Sequence, residues 1–76
     1  MVKNGLNKPQ KIGLRFVYQK ESLGVSVIPK KLVIEEIKVW GYPEPLAKKA
    51  FDELLKKGYL FQPRFGLVRS TKNFRR

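Results

Sequence analysis

The stretch A-K-K-A-F-D-E-L-L-K-K-G-Y-L-F-Q-P-R-F-G-L-V-R, residues 47–69, changes its hydrophobic period part-way along, and that change decides the fold. In its first half, together with Leu46, the apolar residues Ala47, Ala50, Phe51, Leu54 and Leu55 recur at three- and four-residue spacing, the pattern of an amphipathic helix. Lys56 and Lys57 stand where the negative end of a helix dipole favours cations, and Gly58 supplies a left-handed cap. After Gly58 the period becomes two. Tyr59-Leu60-Phe61-Gln62, a turn over Pro63-Arg64-Phe65-Gly66, and Leu67-Val68-Arg69-Ser70 read as strand, turn, strand.

Working back from this helix and hairpin, Tyr42-Pro43-Glu44-Pro45 is a tight connection, preceded by a helix over residues 30–40 that Gly41 stops. Its apolar positions are Val33, Ile34, Ile37 and Trp40, with Lys31, Glu35, Glu36 and Lys38 elsewhere around the cylinder. Val25-Ser26-Val27-Ile28 is short, β-branched and ended by Pro29, as suits one edge strand before a new helix. Further upstream, Asn7, Pro9 and Gln10 form a helix-start signal with capping-box spacing. Residues 11–19 leave two readings open. Ile12, Leu14, Phe16 and Tyr18 alternate as in a strand, whereas Ile12, Phe16, Val17, Gln19 and Leu23 make a helical stripe that Gly13 weakens. The polar run Gln19-Lys20-Glu21-Ser22 and Gly24 at a C-cap position favour helix through about Ser22.

The resulting order of helix, short strand, helix, tight turn, helix and hairpin is that of an α+β winged helix-turn-helix occupying residues 7–70. Residues 1–6 are then expected to be a flexible basic arm and residues 71–76 a flexible basic tail. Trp40, Tyr59 and Phe61 are expected in the core. Phe65, at the hairpin tip, is the exposed-aromatic candidate, although folding back over the core is the favoured reading for it as for those three.

The chain has 76 residues, enough for one small domain. Its 17 Lys+Arg against 6 Asp+Glu give a formal charge of +11. That excess is concentrated at the ends. Lys3, Lys8, Lys11, Arg15 and Lys20 precede residue 21 without an acid among them, and Arg64, Arg69, Lys72, Arg75 and Arg76 follow residue 60 in the same way. Such termini suit a phosphate backbone better than a merely solubilising surface. With no Cys and no His, zinc fingers, disulfide frameworks and Cys or Ser-His nucleophiles are excluded, and the six acids sit beside lysines as solvated pairs do. A non-catalytic protein without metal or cofactor is therefore expected. No apolar run approaches the roughly 18 residues of a membrane span, and no signal-peptide pattern opens the chain, which points to a cytoplasmic location, nucleoid-associated if DNA is the partner.

Residues 47–69 resemble the end of the C-terminal winged-helix domain of archaeal minichromosome maintenance helicases: a helix, a Lys-Gly-aromatic step and a short Pro-basic-x-Gly wing. The likeness reaches back over residues 25–41. It implies an accessory DNA-contacting module, associated with replication or transcription regulation, either an isolated domain or a small free-standing relative, since no G-x-x-x-x-G-K-[ST] run is present. Val27-Ile28-Pro29 and residues 46–58 are also similar to the small winged-helix protein of the archaeal and eukaryotic small ribosomal subunit, which implies RNA or the ribosome as partner. The short turn over residues 63–66 and Tyr42-Pro43-Glu44-Pro45 depart from that second family.

On the leading reading, double-stranded DNA is bound by the third helix through Lys48, Lys49 and Asp52, with Glu44 also outward. Arg64, Phe65 and Arg69 bind from the wing; Lys72, Arg75 and Arg76 from the tail; and Lys3, Lys8 and Lys11 from the N-terminal side. RNA binding and a protein-interaction role are the alternatives, and homodimerisation stays open.

Overall fold

The computed structural model describes residues 6–71, so Lys3, Lys72, Arg75 and Arg76, with most of the expected arm and tail, lie outside the described residues. Three helices and three strands follow in the order α1 (Lys8–Ser22), β1 (Ile28–Pro29), α2 (Lys30–Val39), α3 (Glu44–Lys56), β2 (Leu60–Arg64) and β3 (Leu67–Ser70). The sheet is antiparallel with β3 central, in the order β1-β3-β2. The architecture is α+β, a three-helix cluster against a small sheet, with Val17, Ile28, Val33, Ile37, Phe51, Leu54, Leu60 and Val68 filling the core between them.

Helix α1 starts as its capping box dictates. The Asn7 side chain accepts from the Gln10 amide at 3.0 Å while Gln10 Oε1 accepts from the Asn7 amide at 3.2 Å, and Pro9 lies in the first turn, where no amide partner is needed. Lys57 Nζ donates to the same Gln10 oxygen at 3.2 Å, which ties the start of α1 to the end of α3. The strand alternative for residues 11–19 is thus not adopted. The buried face, however, is Gln10, Gly13, Leu14 and Val17 rather than the stripe through Ile12, Phe16, Gln19 and Leu23. Ile12 and Phe16 flank the core, Gln19 is exposed and Leu23 is largely so.

Gly13 explains the rotation. A Cβ built there would stand 3.1 Å from Ile37 Cδ1, 3.4 Å from Leu54 Cδ1 and 3.5 Å from Val33 Cγ1, so both other helices approach α1 where it has no side chain. A glycine that lowers helix propensity is what lets the helix pack.

Other boundaries shift for local reasons. Strand β1 is Ile28–Pro29 rather than residues 25–28: the turn at Gly24 leaves Val25 outward, and Ile28 is the first residue to meet β3, opposite Val68. Helix α3 begins at Glu44, with Pro45 in its first turn instead of in the connection. In the hairpin the turn contracts to Phe65 and Gly66, whose φ of 79° needs a residue without a Cβ. Arg64 pairs with Leu67, and the register shift between Phe61 and Arg64 accommodates Pro63 within an edge strand. Tyr59 precedes β2 and, like Phe61, is only partly buried; Trp40 is 60% exposed, because α2 ends at Val39 and the indole lies past its last turn. Phe65 is fully exposed and does not fold back over the core. At the edges, Leu6 packs against the core, and Thr71 donates through its amide to Tyr59 O and through Oγ1 to Gly58 O, so these two residues belong to the fold.

Glu21 completes the sheet. Among the described residues, the pairing of β1 with β3 stops at Ile28, and the Glu21 carboxylate accepts from Ser70 N and Ser70 Oγ, each at 2.7 Å, with Ser70 fully buried.

Two stability measurements check this account by denaturant unfolding. Gly13→Ala should stay within about 1 kcal/mol of wild type, since the propensity gain offsets displacement of the flexible Ile37 tip, whereas Gly13→Leu should cost about 3 kcal/mol or more. Glu21→Ala should cost roughly 2–4 kcal/mol by orphaning the buried Ser70 donors.

Candidate functional site

The N-termini of α2 and α3 and the hairpin tip meet at one open groove lined by Lys30, Lys31, Ile34, Glu35, Glu44, Lys48, Phe65 and Gly66. The hairpin is fastened there by Lys30 N donating to Gly66 O at 2.8 Å, which holds the exposed Phe65 beside the first turn of α2. Arg64, also exposed, precedes Phe65 in the same tip.

The start of α2 is electrostatically unusual. Its N-cap is Pro29, which provides no capping side chain, and its first turn has no acid but does have Lys30 and Lys31. Cations at the positive end of a helix dipole are unfavourable unless an anion accompanies them. The Lys30 ammonium lies 5.7 Å from the centre of the Phe51 ring, which positions that side chain, while Lys31 is exposed.

The acidic component of the groove is already paired. Glu44 accepts from Lys48 and from Lys38, both at 3.4 Å, and Glu35 lies 3.6 Å from Lys38. Hydrogen bonding from Lys48, then from Lys38, holds the Glu44 carboxyl below its ordinary range. The groove and its rim therefore place the cations Lys30, Lys31, Lys38, Lys48 and Arg64 against two carboxylates.

Of the residues the sequence singled out, this groove brings Lys48 and Phe65 together, with Arg64 alongside. The others are dispersed. Lys49 lies in a separate groove between α1 and α3 with Asn7, Gln10 and Glu53, and Asp52 is exposed one turn beyond Lys48. Lys8 and Lys11 are part of α1 and line a groove between α1 and α2. Arg69 leaves the hairpin tip altogether. Half-buried, it stacks over Phe61 with its guanidinium carbon 6.0 Å from the ring centre, and it lines a cleft with Tyr18, Glu21, Ser22 and Ser26. Burial, then the charges of Glu21 and Tyr59, raise the Tyr18 phenol above its ordinary pKa in that cleft.

Lys30 and Lys31 were not among the singled-out residues. The signal for them is Pro29-Lys30-Lys31 itself, two cations directly after a helix-starting proline. Among the described residues, no group of three or more acids is arranged to hold a metal, and no helix is long and apolar enough to cross a membrane. Comparisons of the chain with models of protein families, with curated proteins and with solved structures find no match.

The ion pairs of Glu44 are stabilising above the ordinary carboxylate pKa and are lost as pH falls through its depressed value. In an NMR pH titration, the Glu44 carboxyl should therefore titrate below the ordinary glutamate range, and in a Lys48→Met, Lys38→Met double variant it should return to that range.

Proposed function

We propose that this protein is a non-catalytic winged helix-turn-helix that binds double-stranded DNA through the groove between the helix N-termini and the hairpin tip. The element order and the sheet order β1-β3-β2 support the winged-helix reading, with α2 and α3 as the helix-turn-helix and β2–β3 as the wing. The observation that carries the DNA reading is the convergence of Lys30, Lys31 and Lys48 with an uncapped, acid-free helix start and an exposed Arg64–Phe65 tip on one open surface.

A phosphate seated at the start of α2 meets backbone dipoles and two ammonium groups, which offset the repulsion those groups otherwise suffer. Lys48, paired with Glu44, borders the same strand from α3, and Arg64 reaches across the adjacent groove from the wing. Phe65, which none of the described residues covers, can lie against a sugar or between base edges. Glu44 limits the field. It occupies the first turn of α3 and holds Lys38 and Lys48, so backbone contacts dominate over base readout by this helix. A role in replication or transcription, as the resemblance of residues 47–69 implies, is part of the same proposal.

Fluorescence anisotropy of labelled random duplex DNA and structured RNA, titrated across a range of salt, tests it. Duplex DNA should bind more tightly than RNA, with affinity falling steeply with salt. Arg64→Ala and the Lys30→Ala, Lys31→Ala pair should each weaken duplex binding several-fold for all sequences alike and reduce the salt slope by about one per phosphate contact removed. RNA preference would replace this reading with the ribosomal one. Unchanged affinity in both variants would sink the groove as the binding surface.

A further inference from the structure

The groove between α1 and α2 differs in character from the one just described. Its walls are Lys8, Lys11, Ile12, Arg15, Phe16 and Gln19 from α1, Glu36 from α2 and Trp40 just past its end. The lining is largely apolar in the middle and cationic along one side. Lys8, Lys11 and Arg15 recur at spacings of three and four, so they form a row along one helix face. Ile12 and Phe16 are partly buried against the core, and Lys20 lies 5.5 Å from the centre of the Phe16 ring at the far end.

On the other side, Trp40 is oriented by its indole N–H, which donates to Glu36 Oε2 at 3.1 Å. Ile12, Phe16 and the 60% exposed Trp40 together give the groove an apolar strip that no other described residue covers.

We propose that this groove docks an acidic amphipathic helix of a protein partner, its apolar face on Ile12, Phe16 and Trp40 and its carboxylates along Lys8, Lys11 and Arg15. Charge complementarity selects the occupant. A second copy of the chain would bring the same cation row and another +11 charge to the interface. A nucleic acid strand would meet the Glu36 carboxylate and an indole N–H already engaged, and would leave aliphatic Ile12 without a stacking role. An amphipathic helix answers both halves of the surface, because anchors at i, i+4 and i+7 can fill the strip while acids on the adjacent face meet a cation row of matching period.

Trp40 is the protein's single tryptophan, so its emission reports on this groove directly. The full chain is titrated with a synthetic peptide of about four helical turns carrying Leu and Phe at anchor spacing and Glu elsewhere. Its counterpart with Gln replacing Glu, and oligothymidylate, are titrated alongside. The Glu peptide should shift Trp40 emission to the blue and bind at least about tenfold more tightly than the Gln peptide, and Lys11→Glu with Arg15→Glu should abolish most of that difference. Ile12→Glu should independently weaken the Glu peptide, with circular dichroism verifying the fold of each variant. Three results would overturn the proposal: no emission shift with the Glu peptide, a stronger shift with oligothymidylate, or a blue shift that grows with protein concentration in the absence of any probe.

Discussion

The close crossing of the three helices at Gly13 is the contact on which the rest of the molecule depends. Ile37, Leu54 and Val33 all reach the space a side chain would take at that position. Because α2 and α3 both come in at this depth, the buried face of α1 is centred on residues 10, 13, 14 and 17. That rotation turns Lys8, Lys11 and Arg15 into one groove and leaves Ile12 and Phe16 at its floor. A larger residue would push α2 outward, and with it the Lys30 amide that holds the hairpin through Gly66.

The sheet is too short to sustain itself. Strand β1 pairs through two residues, and its role next to β3 is continued by the carboxylate of Glu21 on the buried Ser70 donors. One charged side chain from a helix thus stands where a longer edge strand would supply carbonyl groups, and it joins the C-terminal end of α1 to the central strand. A hydrogen bond to an ionised acceptor is stronger than a neutral ladder bond, which makes the substitution effective in a domain with so little sheet.

The positive charge is divided by the fold into surfaces of different character. At the starts of α2 and α3 it is open, polar and aimed outward with an aromatic tip; along α1 it borders an apolar groove; at Arg69 it is stacked on Phe61 and withdrawn into a cleft. Paired acids sharpen the contrast. Glu44 and Glu35 occupy Lys38 and Lys48, so the groove's unpaired cationic character rests on the α2 start and the wing tip.

Much of the secondary structure was legible in the residues themselves, because local signals act within one turn. Asn7, Pro9 and Gln10 specified the start of α1, Gly41 and Gly58 the ends of α2 and α3, and the change of period after Gly58 the hairpin. The site was legible only in part. Lys48, Arg64 and Phe65 could be named from helix face and turn position, whereas Lys30 and Lys31 gained their place because the hairpin folds against the α2 start, a contact between residues far apart in the chain. The sequence by itself determined the elements that carry strong local signals, most of the buried face of α3 and the excess of positive charge, since these follow from composition and short-range periodicity. Only the tertiary structure decided which face of α1 is buried, because that depends on how closely Gly13 lets α2 and α3 approach, and which side chains stay outside or share a surface, because those depend on where α2 ends and where the hairpin docks on its start.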